Sequence, residues 1–144
     1  MPGQALEKRT KAFAVRVIRF VESLSLSRAM ESVRVQLIRA ATSIGANYRE
    51  ANRAESKKDF LHKVSIVGKE ASETFYWLEL MDALGLGDSA ERMALIQECN
   101  ESVAIFTRIG RTLKTRLSRS RSRLGLGRGR RKERSSDRGT QTQP

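Results

Sequence analysis

Glu50, Glu70 and Glu73 are carboxylates that neighbouring helices could bring together, and His62 and Cys99 are the chain's one imidazole and one thiol. Converging carboxylates can hold metal ions, an imidazole can move a proton and a thiol can attack an electrophile. Each chemistry needs a partner set. A di-metal site in a helical bundle takes carboxylates from four helices together with two Glu-x-x-His pairs. A single His62 that lacks such a Glu leaves that set incomplete. Acid–base work lacks a second histidine, and Lys57 and Lys58, not arginines, precede His62. No Gly-rich loop of the phosphate-cradling type is present. Cys99 falls on an apolar helical stripe, where a thiol serves as a small core residue. These absences predict a non-enzymatic protein with no metal and no cofactor. The polar set Asn47, Glu50, Glu70 and Glu73 is then expected to form a network that fixes helix register or joins subunits.

Binding is the chemistry that the composition favours. The chain carries 28 Lys/Arg against 16 Asp/Glu, net +12, and the excess is uneven. Residues 1–117 hold 19 cations and 14 anions, net +5, whereas residues 118–144 hold 9 and 2, net +7. Such asymmetry points to a polyanionic ligand. The expected nucleic-acid contacts are Arg108, Arg111, Lys114 and Arg116 on the last helical turns, continued by Arg119, Arg121, Arg123, Arg128, Arg130, Arg131, Lys132 and Arg134. Arginine's planar fork suits phosphate. The tail has no aromatic residue, so ring stacking is unavailable there and affinity should be mainly electrostatic. A weaker second set is Lys8, Arg9, Lys11, Arg16 and Arg19, opposed by only Glu7 and Glu22; its bland reading is a solvated helix face.

Long helices must position these residues. Proline occurs only at positions 2 and 144, so nothing between them breaks a helix. With 144 residues, one domain with a real core is possible. No apolar run of about 18 residues would cross a membrane, and MPGQALEKRTK has no apolar signal core. One cysteine excludes a disulfide framework and predicts a reducing, cytoplasmic setting. Apolar spacing of three and four predicts helices over about 5–24, 30–54, 56–85 and 89–123. The third helix is the expected centre, with Phe60 and Trp77 as its core anchors. On the second, Leu37, Ala41, Ile44, Tyr48 and Ala51 form a seam of two positions per heptad, and Gly45 implies close approach of a neighbour. Ser56 and Asp88 or Ser89 are expected caps, and Leu-Gly-Leu-Gly-Asp supplies a turn. The predicted fold is all-α: an up-down-up-down four-helix bundle over residues 1–117, with a mostly disordered Ser/Arg/Gly-rich tail over 118–144.

Ser43-Ile44-x-x-Asn47-x-x-Glu50, Lys58-x-Phe60 and the run Lys69-Glu70-Ala71-Ser72-Glu73-Thr74-Phe75-Tyr76-Trp77-Leu78 resemble the four-helix-bundle protein family. That family includes proteins encoded in intervening sequences of bacterial large-subunit ribosomal RNA genes and is related to accessory proteins of diversity-generating retroelements. The resemblance spans about residues 8–117. It implies an up-down bundle, a homopentamer and a nucleic-acid role, with RNA as the first partner, DNA as the second and a reverse transcriptase as a protein partner. Ala51 stands where many members have Gly, and the long tail is not a constant family feature. The combined expectation is a non-catalytic, homo-oligomeric RNA-binding accessory with no membrane partner. A protein-interaction scaffold with an incidental tail is the alternative.

Overall fold

Caps set where the rods begin and end. In the computed structural model, which describes residues 2–125, the helices are α1 (Pro2–Glu22), α2 (Glu31–Ala51), α3 (Lys57–Ala83) and α4 (Ser89–Arg123). A short 3-10 turn, Arg28–Met30, precedes α2. The Ser56 hydroxyl accepts the Asp59 amide at 3.0 Å and starts α3; the Asp88 carboxylate accepts the Glu91 amide at 2.8 Å and starts α4. Each satisfies a backbone donor that the helix itself cannot. α3 stops where Gly85 takes a left-handed φ of 65°. The Leu86 amide then reaches the Met81 carbonyl, and the Gly85 amide the Asp82 carbonyl, which is the paired closure of a Schellman turn.

Ion pairs between helices report the topology. Arg9 meets Glu98 and Glu101, and Arg16 meets Glu91, so α1 and α4 run antiparallel. Glu7 faces Arg49 and Asn52 while Thr10 lies under Gly45, so α1 and α2 do too. α3 packs on both α2 and α4, whereas α1 packs on α2 and α4 alone and sits diagonally across from α3. This is the up-down four-helix bundle. The sequence-predicted α2 seam is buried in full: Leu37, Ala41, Ile44, Tyr48 and Ala51 are each at most 4% exposed. They join Phe13, Val17, Phe20, Val64, Leu78, Leu95, Cys99 and Phe106 in one core.

Several expectations change. Trp77 and Phe60 are half-buried residues packed against the core rather than its centre. Thr74 is fully buried on α3, its hydroxyl donating to the Glu70 carbonyl at 2.7 Å. On α4 the buried line is Arg92, Leu95, Cys99, Ser102 and Phe106, and Met93 is 52% exposed. Apolar residues recur farther along α4 at Ile109, Leu113 and Leu117, and these are half-buried. The fully buried line on α4 therefore ends at Phe106. The expected disorder from Leu124 onward falls, apart from Leu124 and Gly125, outside the described residues.

Gly45 marks the tightest helix approach that the sequence predicts. A Cβ there would lie 3.2 Å from the Thr10 hydroxyl oxygen and 3.5 Å from its carbonyl carbon. That hydroxyl is itself held by the Leu6 and Glu7 carbonyls at 2.9 and 3.0 Å, so it cannot swing aside freely. Overfilling a packed interface typically costs about 1–3 kcal/mol. Gly45→Leu is expected to destabilise the bundle by about 2 kcal/mol on that scale, read as a lower denaturation midpoint at unchanged slope; an unchanged midpoint would show that α1 does not press on α2 there.

Candidate nucleic-acid interface

After Glu101 the chain has no acidic residue until Glu133. Across that gap α4 carries Arg108, Arg111, Lys114, Arg116, Arg119, Arg121 and Arg123, all exposed. None of the seven forms an ion pair among the described residues. Helical spacing sorts them to the two edges of the apolar stripe. Arg108 and Arg116 border a hollow of about 260 Å³ with Phe60, Ile109 and Leu113. Arg111 and Lys114 border a separate groove of about 450 Å³ against α3, where Lys69 joins them. α3 contributes its last contact at Lys57, beside Leu113, Arg116 and Leu117. Beyond that point α4 extends without a neighbouring helix among the described residues. Arg128, Arg130, Arg131, Lys132 and Arg134 lie outside the described residues.

The weaker cationic set is divided by the fold. Arg9 donates to Glu98 at 2.6 Å and to Glu101 at 2.5 Å, and the hydrogen bond to Glu98 is the main cause of its raised pKa. Arg16 donates to Glu91 at 3.2 Å. These two arginines hold α1 to α4 and are not open phosphate ligands. Lys8, Lys11 and Arg19 remain exposed.

The expected polar network forms around a residue that the sequence pattern did not single out. Arg39 of α2 donates to Glu73 at 2.6 Å and to Glu70 at 3.3 Å, and the Trp77 indole donates to the other Glu73 oxygen at 3.3 Å. The Arg39 hydrogen bond holds the Glu73 carboxyl below its ordinary range. Asn47 and Glu50 are not members: Asn47 donates within its own helix to the Ser43 carbonyl at 2.8 Å, and Glu50 is exposed. Nothing local pointed to Arg39, because a cation that reaches Glu70 and Glu73 from another helix leaves no mark in the spacing of either helix. Arg92 gave no linear signal, since it occupies an apolar face. It is 7% exposed and donates to Asp82 at 2.7 Å and to the Leu86 carbonyl at 2.6 Å. Among the described residues, no three His, Cys, Asp or Glu side chains gather as a metal site, and no helix is long and apolar enough to cross a membrane.

The family model for the 23S rRNA-intervening sequence protein matches residues 5–108. The chain belongs to that family. A solved structure, a protein of unknown function from the S23 ribosomal protein family of Bacteroides thetaiotaomicron, is similar at 33% identity with a TM-score of 0.66. The match covers 72% of this chain and 96% of that one. No curated protein matches. The 23S rRNA-intervening sequence match includes the ion-paired bundle and ends at Arg108, so six of the seven cations on α4 lie past it.

Cys99 occupies a site that silences it. Its thiol donates to the Ala71 carbonyl at 3.3 Å, and burial raises its pKa from 9.0 to about 12. A raised folded-state pKa stabilises the fold below the unfolded value and loses that contribution as pH rises through the folded one. The native bundle is therefore expected to resist thiol alkylation at neutral pH and to lose stability progressively between pH 9.0 and about 12. Cys99→Ala should flatten that alkaline limb in denaturant titrations. A limb of equal steepness in the variant would assign it elsewhere.

Proposed function

We propose that this chain is a non-catalytic, homo-oligomeric RNA-binding protein, an accessory to a ribonucleoprotein or a reverse transcriptase in the cytoplasm. DNA is a second polyanion that the same surface could hold. One observation carries the reading: the distal turns of α4 present seven exposed cations with no intervening acid and no internal ion pair. By contrast, Arg9, Arg16, Arg39 and Arg92 are each matched to a carboxylate on a neighbouring helix. An unmatched run at a helix C-terminus is favourable for the helix dipole, but that effect reaches only about one turn, and this run covers about four. The family name adds support, because it ties relatives to ribosomal RNA genes.

Cations that meet phosphates release counterions, so affinity falls with salt. With about five phosphates neutralised per chain, log K should fall against log salt with a slope near −3.5 to −4.5. Anisotropy titrations with structured RNA over a salt series would measure it. A chain ending at Gly125 should retain binding with a shallower slope, and Arg-to-Gln changes at 108, 111, 116 and 119 should shift it further. No binding by the full chain at low salt would sink the RNA reading.

A protein-docking scaffold is favoured by a different observation. Val35 and Tyr76 are 48% and 56% exposed, and each lies one turn from the Arg39–Glu73 pair on the same side of α2 and α3. The Tyr76 ring packs edge-on to Trp77 at 5.0 Å. This apolar patch also suits self-association, for which the family resemblance implies five copies. Native mass measurement of the wild type and of Tyr76→Ser is the check: a lone monomer in both removes the homo-oligomer from the proposal.

A further inference from the structure

The groove between α3 and α4 combines three features that bundle packing does not require. It is bordered by Lys69 from α3 and by Arg111 and Lys114 from α4. None of these cations forms an ion pair among the described residues. The acid nearest Lys69 in helical register, Glu73, is already held by Arg39 at 2.6 Å. The second feature is the pair of glycines, Gly68 and Gly110, that line the groove from opposite helices. A Cβ built at either position meets nothing within 4 Å. They are therefore not there to let helices touch. Glycine is the poorest helix former short of proline, and its effect at these two positions is to keep a channel of about 450 Å³ clear of side chains. The third feature is what the lining lacks. Its one aromatic residue, Phe106, is 2% exposed, so no ring is offered to a base. The exposed hydroxyls of Ser72 and Thr107 border the channel instead.

Cations and hydroxyls beside an open floor, without a stacking surface, recognise a backbone rather than bases. We infer that this groove is a phosphodiester channel: Lys69, Arg111 and Lys114 hold phosphates of a single RNA strand, with Ser72 and Thr107 donating to the same oxygens. Arg121 lies two turns past Lys114 on the same edge of α4, so the strand leaves the groove along the helix extension. Binding there is independent of base sequence. The inference rests on the RNA reading above and assigns α3, through Lys69, a part in it.

The test fills the groove without changing charge. Full-length wild type, Gly68→Leu, Gly110→Leu and Lys69→Gln are titrated against a fluorescent uridine-rich single strand across a salt series, with melting and elution volume recorded for each. Leucine at the glycines should leave melting temperature equal or higher and elution unchanged. Affinity should fall roughly tenfold, and the salt slope by about 2, for three contacts at about 0.7 each. Lys69→Gln should lower the slope by about 0.7 alone. Wild-type binding that both leucine variants retain in full overturns the channel and leaves the RNA reading standing; absence of wild-type binding removes both. A change of elution volume in the leucine variants would make the groove a subunit contact and overturn the proposal. Should leucine unfold the bundle, Lys69→Gln decides, and an unchanged slope overturns it.

Discussion

A clamped turn joins α3 to α4, and the far end of the bundle follows from it. The Arg92 guanidinium is buried beneath that turn and holds Asp82 and the Leu86 and Gly87 carbonyls. Removing a buried charge partner from such a set costs far more than an exposed pair contributes. With one end of the antiparallel pair fixed, any difference in helix length must appear at the other. α3 has 27 residues and α4 has 35, so α4 projects by about eight residues, or about 12 Å at 1.5 Å per residue. The projecting turns carry Leu117, Arg119, Arg121 and Arg123, while Arg108, Ile109, Arg111, Leu113 and Lys114 still lie alongside α3.

Charge is distributed to match. Within the four-helix region, acids and arginines pair between helices and set their register: Arg9 and Arg16 with α4, Arg39 with α3, Arg92 with the end of α3. Such exposed pairs are weak individually; their contribution is to favour one antiparallel alignment over its neighbours. Where α4 leaves its partners, there are no acids left to pair, and the cations face solvent. The same residue type thus holds helices together at one end of α4 and stands unpaired in solvent at the other.

Much of this was legible in the residues. The α2 seam, the Ser56 cap, the Gly85 turn and the close approach at Gly45 all appear where local spacing put them, because each depends on neighbours within a turn or two. The central anchors were not. Phe60 and Trp77 are large apolar residues of α3, yet they are only half-buried against the core while Thr74 is fully buried. Hydrophobicity ranks residues by what they would gain from burial; it does not say which part of a wide stripe the neighbouring helices cover. Asn47 and Glu50 failed as network members for the same reason, since shared spacing on one helix says nothing of what stands across from it.

By itself the sequence determined four uninterrupted helices, the caps of α3 and α4 and the turn between them, the reach of the acid-free segment and the buried seam of α2, since helical periodicity and capping are properties of adjacent residues. Tertiary structure alone decided which arginines are consumed in register-setting pairs, that Arg92 takes a core position, and that Lys69 joins Arg111 and Lys114 beside an open groove. Those outcomes depend on side chains brought together from distant parts of the chain, and no local pattern records which helix faces which.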